Sequence, residues 1–94
     1  MISIINWGEI FYIMFRYKGK EVAQETLILI EQLPVEIVDV NRELVYQAAQ
    51  LKAKYPLSYA DCFAAALAKQ KQCPVLTGDP EFRRLEGEVK IDWL

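Results

Sequence analysis

The stretches that decide the fold are Leu57–Lys69, LSYADCFAAALAK, and Cys73–Phe82, CPVLTGDPEF. In the first stretch, the carboxylate of Asp61 opens a helix of small residues. In the second, Asp79 directly follows a short apolar strand and opens another helix, and Glu9 follows an earlier apolar segment in the same way. Strand ends that present carboxylates are how a parallel α/β sheet builds a divalent-metal site. The sequence therefore predicts a metal site made of acidic side chains.

Chain length and composition limit the number of domains and the kinds of partner. The 94 residues are expected to form one domain, 1–94, and 53% of them are apolar, which is a high fraction for a chain this short. Some apolar surface is therefore expected to remain for a partner. The net charge of −2 gives no electrostatic footprint for non-specific nucleic-acid binding.

Several kinds of site and location are excluded. Histidine is absent, which rules out histidine catalysis and zinc binding through histidine. Cys62 and Cys73 lack paired metal-ligand spacing and lie among apolar residues, so they are predicted to be buried free thiols in a reducing cytosol. No apolar run reaches membrane-spanning length. The segment Met1–Ile5 has neither a basic region nor a cleavage site, so it is not expected to be a signal peptide.

Hydrophobic periodicity and breakers predict the order β-α-α-β-α-α-β-α-β. Asn6, Asn41 and Ser58 are the expected caps of three of the helices. Strands separated by helices imply crossover connections and a parallel sheet under helical layers, which is an α/β fold. The predicted strands are 2–5, 35–40, 74–77 and 89–91, and the predicted helices are 7–17, 20–33, 42–53, 58–71 and 79–87.

Each of the three acids also has a structural interpretation. Glu9 is expected in the first turn of its helix, where negative charge complements the helix dipole. Asp61 completes Ser58-x-x-Asp61, close to a capping box, and Asp79 is a favourable N-cap before a proline. The three acids together are less easily explained by capping, because strand ends and helix starts converge at one edge of a parallel sheet. Hard oxygen ligands of this kind suit Mg²⁺ or Mn²⁺ rather than zinc.

Three motifs resemble those of a known family. Asn6-Trp7-Gly8-Glu9, Leu57-Ser58-Tyr59-Ala60-Asp61 and Thr77-Gly78-Asp79-Pro80-Glu81-Phe82 look like three of the acidic motifs of PIN domains. The Ala-rich helix after Asp61 further resembles the VapC toxins of toxin–antitoxin pairs. The resemblance runs over essentially the whole chain.

The resemblance implies a Mg²⁺-dependent (or Mn²⁺-dependent) endoribonuclease with a three-layer α/β/α fold and a short, mostly parallel sheet. Glu9, Asp61 and Asp79 would be its catalytic and metal-site acids. Asn6, Ser58 and Thr77 match supporting positions. The family resemblance also implies an antitoxin partner, an RNA substrate and a homodimer.

Two arginines are further candidates for the RNA site. Arg83 and Arg84 follow Asp79 on the same predicted short helix and are placed to meet backbone phosphates. Their alternative interpretation is ordinary surface charge. No Gly-rich phosphate loop is present, so a nucleotide cofactor is not indicated.

The sequence departs from the family at its start. PIN domains open with a strand that ends in Asp, and this chain has no counterpart before Met1, so an N-terminally truncated fold is expected, short of about 30 residues. The remaining strands would then form two half-sheets, 2–5 with 35–40 and 74–77 with 89–91, with exposed edges that favour self-association. Two functions follow: an impaired PIN-type ribonuclease, or a non-catalytic module that dimerises or binds an antitoxin.

Overall fold

The chain alternates short strands with helices in the predicted order. The computed structural model describes residues 1–94 and divides them into two compact units, Met1–Asp39 and Val40–Leu94. The first unit contains β1 (Ile2–Ser3), α1 (Ile4–Tyr17), α2 (Lys20–Gln32) and β2 (Ile37–Val38). The second contains α3 (Arg42–Lys54), α4 (Tyr59–Lys71), β3 (Val75–Thr77), a 3₁₀ helix (Pro80–Leu85) and β4 (Ile91–Trp93).

The strands pair in parallel, as predicted. β1 pairs with β2, with Ile2 opposite Ile37. β3 pairs with β4, with Thr77 opposite Trp93. Each sheet contains two strands, and the pairs are the two half-sheets expected from the sequence. The α/β class with short parallel sheets is thereby confirmed.

The start of α1 differs from the prediction. Ser3 has an extended backbone and its hydroxyl accepts a hydrogen bond from the Asn6 amide at 3.1 Å, so Ser3 is the N-cap. The predictions that the strand runs to Ile5 and that Asn6 is the cap were therefore wrong. Ser3 is also a favourable N-cap residue. Because its hydroxyl accepts from the Asn6 amide, Ile4 and Ile5 become part of the helix. Glu9 consequently lies in the second turn of α1, not the first.

The helices of the second unit begin at the predicted caps. The Asn41 side chain accepts from the Leu44 amide at 2.9 Å and starts α3. Leu44, Ala48 and Leu51 form the buried stripe of that helix. α4 packs on α3 and contributes a broad buried face of mostly small residues, which allows the two helices to approach closely. The buried residues of α4 are Cys62, Phe63, Ala65, Ala66, Leu67 and Ala68.

The last strand lies two residues further along the chain than predicted. The amides of Glu88 and Val89 both bond back to the Leu85 carbonyl, at 2.8 and 2.9 Å. These bonds continue the turn after the 3₁₀ helix and place Val89 in the core. The ladder with β3 therefore starts at Ile91, and the predicted strand 89–91 was wrong in its bounds. The helix predicted over 79–87 is the shorter 3₁₀ helix.

Many large apolar side chains remain exposed in the first unit. Tyr12, Phe15 and Tyr17 on α1 are each more than half exposed, as are Ile28 and Leu29 on α2. This agrees with the expectation that a short chain with a high apolar fraction leaves apolar surface uncovered. None of the helices has the length and apolar character needed to cross a membrane.

Truncation of the α3 core residue Leu44 should destabilise the protein strongly. Leu44 is fully buried, so Leu44→Ala should lower the free energy of unfolding by about 2–5 kcal/mol. Val45 is the matched control, because it lies on the same helix and is 38% exposed. Val45→Ala should cost less than about 1 kcal/mol, and urea denaturation measures both. Equal losses at the two positions would contradict the packing described here.

Candidate functional site

Three carboxylates of the second unit lie together. One oxygen each from Asp61, Asp79 and Glu81 can be chosen so that all three lie within 4.8 Å of one another. Asp61 is half-buried in the first turn of α4, whereas Asp79 and Glu81 are exposed at the start of the 3₁₀ helix. Two acids predicted from the sequence, Asp61 and Asp79, are thus brought together as expected.

A serine cap orients Asp61. The Ser58 hydroxyl accepts a hydrogen bond from the Asp61 amide at 3.1 Å, which fixes the first turn of α4. The preceding loop is held in turn by Lys52, whose ammonium group donates to the Leu57 carbonyl at 2.6 Å. A charged donor makes this a strong hydrogen bond. The backbone that presents Asp61 is therefore restrained on both sides of Ser58.

Two consecutive side-chain bonds orient Asp79 and Glu81. The Thr77 hydroxyl accepts from the Asp79 amide at 3.1 Å. The Asp79 carboxylate then accepts from the Glu81 amide at 2.9 Å, which starts the 3₁₀ helix with Pro80 in its first turn. The end of β3 is thereby connected to both carboxylates by a short chain of local bonds.

The cluster carries negative charge with no cation of the protein paired to it. The single salt bridge of the structure joins Lys69 and Glu88. Repulsion among the three carboxylates is eased by the positive end of the α4 dipole and would be eased further by a bound cation. Ligand oxygens on opposite sides of a Mg²⁺ ion lie on the order of 4 Å apart, and the three carboxylates here have oxygens within 4.8 Å of one another. An all-oxygen donor set of this size fits a hard divalent cation.

Glu9 and Asn6 belong to the first unit. Glu9 is half-buried in the second turn of α1, and the Asn6 side chain contacts the Ser3 hydroxyl near the start of the same helix. Their participation in the site stays a prediction.

Glu81 was missed by the sequence analysis as a site residue, although it stands in the Thr77–Phe82 motif. The signal that could have found it is the spacing Asp79-Pro80-Glu81. A capped 3₁₀ turn brings a residue two positions after the cap back beside the capping carboxylate. The bond from the Glu81 amide to Asp79 is the direct consequence.

Neither cysteine contributes to the cluster. Both are free thiols, as predicted, but only Cys62 is fully buried and Cys73 is half-buried. Burial raises the pKa of the Cys62 thiol; the charge of Lys52 opposes this pKa shift and that of Asp61 adds to it. Cys62 is therefore a neutral core side chain at neutral pH.

Comparison with known proteins identifies a family-level match. The model of the PIN domain family matches residues 1–88. Among solved structures, the chain is similar to a toxin–antitoxin complex from Klebsiella pneumoniae, with a TM-score of 0.70 and 20% sequence identity. The similarity covers 99% of this chain and 74% of that one. No curated protein sequence matches significantly.

Removal of a cluster charge without removal of a backbone bond should not destabilise the metal-free protein. Asp61→Asn leaves the Ser58 cap bond in place, and Asp79→Asn retains an oxygen that accepts from the Glu81 amide. In EDTA, each variant should unfold in urea with an unchanged or higher free energy, because like charges repel. Ser58→Ala is the contrasting variant and should cost about 0.5–2 kcal/mol through loss of the cap.

The same urea measurements can contradict the interpretation of the cluster as a metal site. A loss above about 1–2 kcal/mol for Asp61→Asn or Asp79→Asn would show that the carboxylates act mainly as helix caps. Glu86→Gln controls for the general effect of removing one negative charge, because Glu86 is an exposed acid at the end of the same 3₁₀ helix.

Proposed function

We propose, because this chain belongs to the PIN domain family, that it is a Mg²⁺- or Mn²⁺-dependent endoribonuclease of the VapC toxin type. The observation that supports this proposal is the meeting of Asp61, Asp79 and Glu81 at the ends of a strand and two helices. PIN-family membership makes a nuclease the natural chemistry for such a cluster. Glu9 is proposed as a further acid of the same site.

The residues present would hold the cation in a defined way. Asp61, Asp79 and Glu81 would supply carboxylate oxygens to it. When bound, such an ion lowers the pKa of a coordinated water and offsets charge at a phosphodiester. Ser58 and Thr77 hold the amides of the ligand-bearing residues, so they restrict where each carboxylate points. They are therefore proposed as supporting residues.

The negative net charge of the chain opposes the binding of RNA, which is also negatively charged. The chain carries a net charge of −2, so long-range attraction to a polyanion is weak. Arg83 and Arg84 are exposed on the 3₁₀ helix that also carries Glu81. We propose that these two arginines contact backbone phosphates next to the acids.

An antitoxin and a second copy are the proposed protein partners. The similar solved structure is a toxin–antitoxin complex, and the family resemblance implies the same assembly here. The exposed apolar side chains of α1 and α2 offer a surface for such partners. The alternative function, a non-catalytic module that dimerises or binds an antitoxin, rests on this same surface.

Metal-dependent cleavage is the direct test of the enzyme. Incubation with single-stranded RNA should give products in Mg²⁺ or Mn²⁺ and none in EDTA. Asp61→Asn, Asp79→Asn and Glu81→Gln should each reduce the rate strongly, and Glu86→Gln should not. Cleavage that persists in EDTA would refute the metal mechanism. Absence of cleavage together with absence of thermal stabilisation by Mn²⁺ would favour the non-catalytic module.

Loss of the Ser58 or Thr77 hydroxyl should lower the affinity of the site for the metal ion. Thr77→Val and Ser58→Ala remove the acceptors that hold the Asp79 and Asp61 amides. Loss of such outer contacts typically costs about 10- to 100-fold in metal affinity or activity. Mn²⁺ titration of the RNA cleavage rate should therefore shift to higher concentration in both variants. Thr77→Ser, which keeps the hydroxyl, should restore most of the affinity.

Self-association should be visible in solution. Light scattering at micromolar concentration should give about twice the chain mass of 10.9 kDa. Leu29→Lys places a charge on the exposed apolar face of α2 and should shift the equilibrium toward monomer. Gln24→Lys is the matched control, because it adds the same charge at an exposed polar position of α2. A well-folded wild-type monomer at this concentration would contradict the proposed dimer.

A further inference from the structure

The end of β4 presents an aromatic side chain beside an arginine. Trp93 is 43% exposed. The Arg83 guanidinium carbon lies 6.0 Å from the centroid of its ring, at the outer limit of a cation–π contact. Arg83 comes from the 3₁₀ helix, so this contact joins the last strand to the helix that carries Glu81.

The pairing register places this aromatic group beside the residue that orients Asp79. Trp93 is directly opposite Thr77 in the parallel ladder, and directly paired residues project to the same face of a sheet. Thr77 is the residue whose hydroxyl holds the Asp79 amide. Trp93 is thereby linked to the cluster twice, through Thr77 to Asp79 and through Arg83 to the helix of Glu81.

The backbone around Trp93 is well restrained. The Leu94 amide donates to the Thr77 carbonyl at 3.0 Å. The Leu94 side chain lies against Gly78, where an added Cβ would stand 3.6 Å from that of Leu94. Trp93 therefore sits between two ladder positions that tie β4 to the end of β3. Trp93 thus combines a restrained backbone with a partly exposed side chain.

We propose that Trp93 and Arg83 form a platform on which one unpaired base of an RNA strand stacks while the strand passes the Asp61–Asp79–Glu81 cluster. This proposal rests on the proposed ribonuclease function. Unpaired bases stack on aromatic rings and on arginine planes, and such stacking tolerates any base. The acidic cluster repels phosphates, so a contribution to binding that does not depend on charge is needed here.

The platform selects single strands. A base within a duplex has its faces covered by its neighbours, whereas an unpaired base can leave the strand and stack on Trp93. The platform is therefore expected to bind an unpaired base in preference to a paired one. A protein partner covering Trp93 is the competing interpretation, and it predicts no change in RNA affinity when Trp93 is replaced.

Binding measured without cleavage tests the platform. The probe is a labelled single-stranded RNA 10-mer in EDTA, compared with a 10-mer of the same phosphate number that lacks bases. The chain has two tryptophans, so a Trp7→Phe background makes Trp93 the only reporter. The base-containing RNA should quench its fluorescence, and the abasic strand should not.

Variants separate stacking from folding and from charge. Trp93→Leu should weaken binding of the base-containing strand by about tenfold, and Trp93→Phe should retain most of the affinity. Arg83→Lys keeps the charge and loses the planar guanidinium, so it should weaken binding of the base-containing strand and leave binding of the abasic strand unchanged. Tyr46→Leu is the control for loss of an exposed aromatic residue in the same unit, since Tyr46 is 67% exposed on α3, and it should have no effect. Circular dichroism establishes that each variant is folded.

Two results would overturn the platform. One is an unchanged RNA affinity in folded Trp93→Leu, and the other is equal binding of the abasic and base-containing strands. The cleavage assay separates this failure from that of the proposed function. Metal-dependent cleavage with an unaltered KM in Trp93→Leu would refute the platform and keep the nuclease. Base-dependent quenching without any metal-dependent cleavage would keep the platform and refute the nuclease.

Discussion

The placement of the helices in this protein depends on one kind of interaction: a side-chain oxygen accepts a hydrogen bond from a backbone amide where a helix begins. Ser3, Asn41, Ser58 and Asp79 each make such a bond. The strands of this chain have only two or three residues, so they contribute few ladder bonds of their own. The caps therefore determine where each strand stops and where each following helix starts. Because acids occur at or just after two of these caps, the same bonds also determine where the carboxylates stand.

Capping and metal binding are compatible functions of the same residues. Asp79 accepts from the Glu81 amide with one oxygen, and a carboxylate has further acceptor sites. Asp61 contributes its amide, not its carboxylate, to the Ser58 cap bond. The carboxylates thus keep oxygen lone pairs that the helix starts do not use. The two interpretations of these acids in the sequence, helix cap and metal ligand, are therefore not alternatives in the folded chain.

The sequence predicts those parts of the fold where one local signal has no competitor. Asn41 and Ser58 are followed by strong helical periodicity, and both caps stand where expected. At the N-terminus, Ser3 and Asn6 are both good caps, and the folded chain uses Ser3. The hydrophobic pattern of the sequence likewise does not predict the two hydrogen bonds from the Glu88 and Val89 amides to the Leu85 carbonyl. They shift β4 by two residues, which in turn brings Trp93 opposite Thr77. The approach of Asp61 to Asp79 was predicted from the sequence, whereas the approach of Glu81 to both depends on the geometry of the 3₁₀ turn.

Charge decides how an acidic site of this kind can bind a polyanion. Three carboxylates in a chain of net charge −2 oppose the approach of phosphates, and the nearby positive groups are Arg83 and Arg84. A divalent cation would offset two of the three negative charges at the cluster itself. It would not hold the strand on either side, because its field is screened within about 8–10 Å at physiological ionic strength. Binding beyond that distance needs further contacts: the proposed arginine–phosphate contacts, and others that do not depend on charge. An aromatic ring at the end of β4, tied by its register to the residue that orients Asp79, is placed to supply such a contact.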